Sequence, residues 1–75
     1  MDCQFIEVIG HSPISFADAV RQLVYAATEE GRKVRAVDVV HQTVKVTYHT
    51  NKDHMYLVFD FRVDAKIVFE EKETR

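Results

Sequence analysis

The stretch MYLVFDFRVDAKIVF, from Met55 to Phe69, decides how this chain is read. Met55, Leu57, Phe59, Phe61, Val63, Ala65, Ile67 and Phe69 are apolar at every odd position. Tyr56, Val58, Asp60, Arg62, Asp64, Lys66 and Val68 lie between them and are mostly polar. A two-residue period places the two sets on opposite faces of a β-strand. At ~3.3 Å per residue the stretch extends roughly 50 Å, whereas a compact chain of this length has a radius of gyration of about 11 Å. One helix cannot cover so long an apolar face. The uncovered part is expected to meet another copy of the chain; the alternative is a bend near Asp64 that folds the strand end back over its own core.

Immediately upstream, TNKD from Thr50 to Asp53 reads as a tight turn. Before it, Val34 to Tyr48 is rich in Val, Thr and Tyr, as strands are. Its alternation changes phase: Val37 and Val39 hold one parity, and Val40, Val44, Val46 and Tyr48 the other. A β-bulge or bend near Val39 and Val40 accounts for the change.

Further upstream, Phe16, Ala19, Val20, Leu23, Val24 and Ala27 recur at three- and four-residue steps, the apolar stripe of an amphipathic helix of about four turns. Ser15, followed by Asp18, has the form of an N-cap with an acid in the first turn, and Gly31 is placed to end the helix. Phe5, Ile6, Val8 and Ile9 make a short first strand that the sequence ends at Gly10, with HSPIS forming the corner into the helix.

The order is strand, helix, strand, strand. A right-handed crossover through the helix leaves room for the third strand between the first two, antiparallel to both. The predicted fold is α+β: a β-α-β-β protomer whose three-stranded, antiparallel-type sheet wraps one helix. Residues 1–75 are read as a single domain with a core over 3–69 and a polar tail over 70–75.

Composition narrows the function. The chain has 75 residues, 10 basic and 12 acidic, with a net charge of -2 and no basic cluster longer than Arg32 to Arg35, so nucleic acid is not an expected partner. A domain this small buries only about 60% of its unfolded surface and needs reinforcement. Cys3 is the only cysteine, which leaves a metal, a ligand or oligomerisation. A lone thiol, no leader pattern and no apolar run of membrane length lead to the expectation of a soluble, cytoplasmic protein with no membrane partner.

Catalysis finds little to use. Cys3 has no basic or histidine neighbour in sequence, and neither serine of the HSPIS corner lies in a nucleophile-elbow motif; the chain is not read as an enzyme. Four histidines, His11, His41, His49 and His54, raise the question of a metal. If Asn51 and Lys52 are the central turn residues, His49 faces His54 across the hairpin with Cβ atoms about 5 Å apart. Two imidazoles so placed can share a zinc-like ion, with Asp53 or a symmetry mate completing the shell; the plainer reading is a pair of solvated strand histidines. Glu7 is a carboxylate among strand hydrophobics, expensive to bury unpaired. A polar channel between subunits, Arg35 and Arg62 are its candidate surroundings.

EVIGHSPISFADAV, Glu7 to Val20, resembles the signature of the dodecins: a short strand, a Gly-x-Ser-Pro-x-Ser-aromatic turn, then a helix. VRAVDVV, Val34 to Val40, and FRV, Phe61 to Val63, continue the resemblance in register, over about Phe5 to Val63. It implies a hollow homododecamer that binds flavins without catalysing a reaction; members have also been associated with coenzyme A and metal ions. Where flavin-binding dodecins place a stacking tryptophan on the second strand, this chain has Ala36, and where they place a hydrogen-bonding glutamine on the third, it has His54. There is no tryptophan anywhere. The resemblance thus implies FMN or riboflavin in an altered pocket lined by Ala36 and His54, with Tyr56, on the same strand face, as another aromatic surface. The alternative is a structural or metal-sequestering shell that has lost flavin binding.

Overall fold

The computed structural model describes residues 3–71. Its elements are β1 (Gln4–Ser12), α1 (Phe16–Glu29), β2 (Arg32–Asn51) and β3 (His54–Glu71). The sheet order is β1-β3-β2, and β3 is antiparallel to both neighbours. The expected fold is therefore the observed one, with the last strand in the middle.

β3 runs unbroken for 18 residues, so there is no bend at Asp64 to fold it back. β1 covers only its C-terminal half, from Gln4 opposite Phe69 to Ser12 opposite Phe61. Beyond Phe61 only β2 accompanies β3, and the two form a free arm out to the turn. The molecule is accordingly elongated, 62 × 22 × 14 Å, with a radius of gyration of 16.3 Å. That exceeds the ~11 Å of a compact chain of this length.

α1 lies over the three-stranded half. Ala19 packs with Val63 and Ala65, joined by Phe16 and Val20; Ala27 packs with Ile67 and Phe69, joined by Ile6 and Val34. Leu23 and Val37 touch both groups. Fully burying a side chain such as Val63 or Ile67 contributes about 1.5–3 kcal/mol, and truncating Ile67 to alanine would cost roughly 2–5 kcal/mol. Phe16 meets Phe61 edge to face, with centroids 5.1 Å apart, at the last position the helix covers.

The corner between β1 and α1 holds together through Ser12, which the sequence reading passed over. Its hydroxyl is buried, donates to Asp18 Oδ2 at 2.7 Å, and accepts from the Ile14 and Ser15 amides at 2.9 and 3.4 Å. Ser15 caps the helix as expected, accepting from the Asp18 amide at 3.0 Å. β1 continues two residues past Gly10. Gly10 is therefore not the strand's end; it is where the helix comes closest. At the other end Gly31, at φ 89°, turns the chain into β2, its amide donating to the Thr28 carbonyl at 3.0 Å.

β2 is out of step with β3 twice, between Val34 and Ala36 and between Val39 and His41. The second shift leaves Val40 unpaired and is the bulge that the phase change anticipates. The first leaves Arg35 unpaired and was not anticipated; it lets Val34 and Val37, of opposite parity, both face the helix. Arg35 reaches Glu70, Nε to Oε2 3.2 Å. Glu70, placed by sequence in a polar tail, is a buried strand residue opposite Lys33; residues 72–75 of that tail lie outside the described residues. Among the described residues no helix is long and apolar enough to cross a membrane.

Candidate functional site

The sheet has two faces, and the pairing register assigns each residue to one. The helix-side face carries the odd positions of β3, with Gln42 beside Val63 and then Val44, Val46, Tyr48 and Thr50 beside them along the arm. The outer face carries the even positions, with Phe5, Glu7, Ile9 and His11 from β1 on one side and Ala36, Asp38, His41, Thr43, Lys45, Thr47, His49 and Asn51 from β2 on the other. Every candidate ligand residue lies on the outer face: Ala36, His49, His54 and Tyr56.

They do not lie together. Ala36 pairs with Val68, fourteen residues along β3 from His54, which at ~3.3 Å per residue separates them by roughly 46 Å. No single protomer can place both against one small molecule. A pocket using them needs Ala36 from one copy and the arm tip from another.

At the tip the turn is one residue later than the sequence suggests. Lys52 and Asp53 are its central residues, with Lys52 at φ 56°, so Asn51 faces His54 and His49 faces Tyr56. The expected His49–His54 pairing is thus a diagonal one, where neighbours stand about 7–8 Å apart, farther than a directly opposed pair. Among the described residues no three His, Cys, Asp or Glu side chains are grouped to hold a metal ion. His49 instead stacks on Tyr56, ring centroids 5.3 Å apart and planes 13° from parallel. A one-residue slip in register changes every cross-strand partner, and this is the site feature that sequence reasoning missed.

Between β1 and the Val40 bulge the outer face holds a concavity of about 420 Å³ lined by Glu7, Ile9, Val40, Arg62, Asp64 and Lys66 among others. Two acids and two bases line it, and no aromatic ring does. Arg62 donates to Asp64 at 3.2 Å, and Glu7 stands opposite Lys66, whose ammonium lies 5.2 Å from the Phe5 ring centroid. Neither arginine suggested for Glu7 pairs with it: Arg35 takes Glu70, and Arg62 takes Asp64. Nearby, His11 Nδ1 lies 3.0 Å from Asp60 Oδ2 across the junction of body and arm. The surface is a solvated mosaic of both signs, without the flat apolar walls that a planar ligand needs.

The helix-side face of the arm is different. Val44, Val46, Tyr48, Met55, Leu57 and Phe59 continue the apolar face beyond the helix, and each is 37–67% exposed. A contiguous apolar strip of this kind marks an interaction surface. The family model for dodecin matches residues 3–72. The chain belongs to the dodecin family. No curated protein matches the chain. Family membership agrees with the architecture: a β-α-β-β dodecin protomer with its third strand central and a two-stranded arm extending past the helix.

Proposed function

We propose that this dodecin is the subunit of a non-enzymatic homo-oligomer, a dodecamer by family analogy, that binds a small planar ligand of the flavin class, FMN or riboflavin, at sites completed between subunits. The observation that carries the reading is the arm. It exposes an apolar face where the helix ends, and it holds His54 and Tyr56 roughly 40–46 Å from Ala36 along the sheet. A surface that cannot be covered within one chain and a ligand set that cannot meet within one chain have a common remedy in neighbouring copies.

The missing tryptophan alters the pocket. An aromatic stack is worth about 0.5–1.5 kcal/mol beyond the area it buries, so Ala36 weakens any flavin held there. His54 can still donate to or accept from a ring edge. The second reading, a structural or metal-sequestering shell that has lost flavin binding, rests on that same alanine. Two measurements on the purified protein decide. Light scattering should report a mass well above the 8.7 kDa of one chain; a monomer would refute both readings. Titration with FMN and riboflavin should quench flavin fluorescence at micromolar protein, and no quenching would leave the empty shell.

A further inference from the structure

The arm has two unlike faces. Its helix-side face is apolar from Val44 to Tyr48 and from Phe59 to Met55, with Thr50 the one polar residue, beside the turn. Its outer face is polar from Lys45 to Asn51 and from Asp60 to His54, with one interruption besides Val58: the His49–Tyr56 stack, centroids 5.3 Å apart and 13° from parallel. Tyr56 is 52% exposed and His49 is exposed, so the stack is not part of a core. Toward the turn, the next pair on the same face is Asn51 and His54. Both carry nitrogen groups able to donate or accept at a ring edge.

We propose that the His49–Tyr56 stack is the aromatic platform of this chain, taking over at the arm tip the stacking that Ala36 cannot give. It would receive a planar, heteroaromatic ring system with hydrogen-bonding edges. Two rings already stacked have their side chains ordered before the ligand arrives, which removes part of the entropic cost of binding. A third ring added to an open ring face gains stacking and buried area. Asn51 and His54, one pair further along, meet the edge of that ring and set its orientation. Substituents on the other side run toward Thr47 and Lys45, a hydroxyl and an ammonium on the same face.

This inference rests on the flavin-class reading above, and the test separates the two. FMN and riboflavin are titrated into the full-length protein and into Tyr56→Leu, Tyr56→Phe and His49→Ala, with native mass measured for each. Wild type and Tyr56→Phe should bind alike, because both keep the ring. Tyr56→Leu and His49→Ala should each weaken binding by roughly tenfold with the oligomer mass unchanged. Binding by wild type that neither Tyr56→Leu nor His49→Ala weakens would overturn the platform and leave the flavin-class reading standing. Absence of flavin binding by an intact wild-type oligomer would overturn both.

Discussion

A methyl group on Gly10 would lie 2.8 Å from Cγ of Leu23 and 3.0 Å from the Ala19 carbonyl oxygen. α1 rests directly on the β1 backbone at this point, and the absence of a Cβ is what lets it. Gly10→Ala must push the helix away or force Leu23 off its rotamer, at a cost of about 1–3 kcal/mol. Chemical denaturation of the variant measures this directly. In the double variant Gly10→Ala/Leu23→Ala the clash with Leu23 is gone and only the approach to the Ala19 carbonyl remains, so its loss should be smaller than the sum of the two single losses. Strict additivity would show that the contact is not the reason for glycine here.

Ser12 and Asp18 yield a prediction about pH. Hydrogen bonds from the Ser12 hydroxyl and the Gln22 amide, with help from Arg21, hold the Asp18 carboxyl below the ordinary aspartate value of 3.8. The folded state thus binds this proton less readily than the unfolded chain does. The resulting stabilisation is complete above the ordinary value and is lost as pH falls through the lower, folded one. Ser12→Ala removes the first of these bonds and leaves the Ile14 and Ser15 amides without their acceptor, which should cost about 1–3 kcal/mol at neutral pH. Carboxyl resonances followed by NMR should show Asp18 titrating closer to its ordinary value in the variant. No movement would remove Ser12 as the cause.

How far the chain could be read in advance follows from the range over which each signal acts. The alternation from Met55 to Phe69, the helical stripe from Phe16 to Ala27 and the Ser15 cap are local patterns, and each matches its element. Strand order followed from connection rules applied to those elements. Gly10 and Ser12 escaped because their reasons are tertiary: a helix passing at contact distance, and a buried hydroxyl serving three partners. The turn slipped by one residue because asparagine tolerates a left-handed backbone better than lysine does, yet it is Lys52 that adopts it. That slip alone concealed the His49–Tyr56 stack. Ala36 and His54 could be named from their positions in sequence, but their separation along the sheet became visible only with the register.

Lys52 at φ 56° gives the third prediction. In the left-handed region the Cβ of any L-residue crowds the following carbonyl oxygen, whereas glycine, without a Cβ, is at ease there. Lys52→Gly should therefore stabilise the hairpin tip, by up to about 1 kcal/mol, without moving the pairs on either side. Thermal unfolding would show a higher midpoint, and nuclear Overhauser contacts between His49 and Tyr56 should persist. A lower midpoint would mean that the lysine side chain contributes more than its backbone costs.

The helix-side face of the arm supplies the fourth. Leu57 stands opposite Tyr48, is 44% exposed and lies beyond the reach of α1, so a charge there disturbs little within the protomer. Buried against a neighbour, the same carboxylate would be unpaired in an apolar contact, which is costly. Leu57→Asp should dissociate the assembly and leave the circular dichroism of the protomer unchanged. An unaltered native mass would place the interface elsewhere on the molecule.

Position 36 is where an added ring can be tested without disturbing the core. Ala36 follows the Arg35 bulge, which turns it to the outer face in a row with Val68 and Phe5, and it is exposed. An indole there can lie along Val68 and meets no helix residue, so Ala36→Trp should fold and assemble as the wild type does. If an arm tip from another copy closes over this row, the new ring and the arm enclose a planar ligand between them. Affinity for FMN should then rise by at least about tenfold, with tryptophan emission quenched as flavin binds. An arm that seats elsewhere leaves the indole in water, and affinity stays at the wild-type value. Combining Ala36→Trp with Tyr56→Leu separates the two surfaces. Loss of the tyrosine should still weaken binding if both rings hold one ligand, and should have no effect if the tryptophan alone holds it.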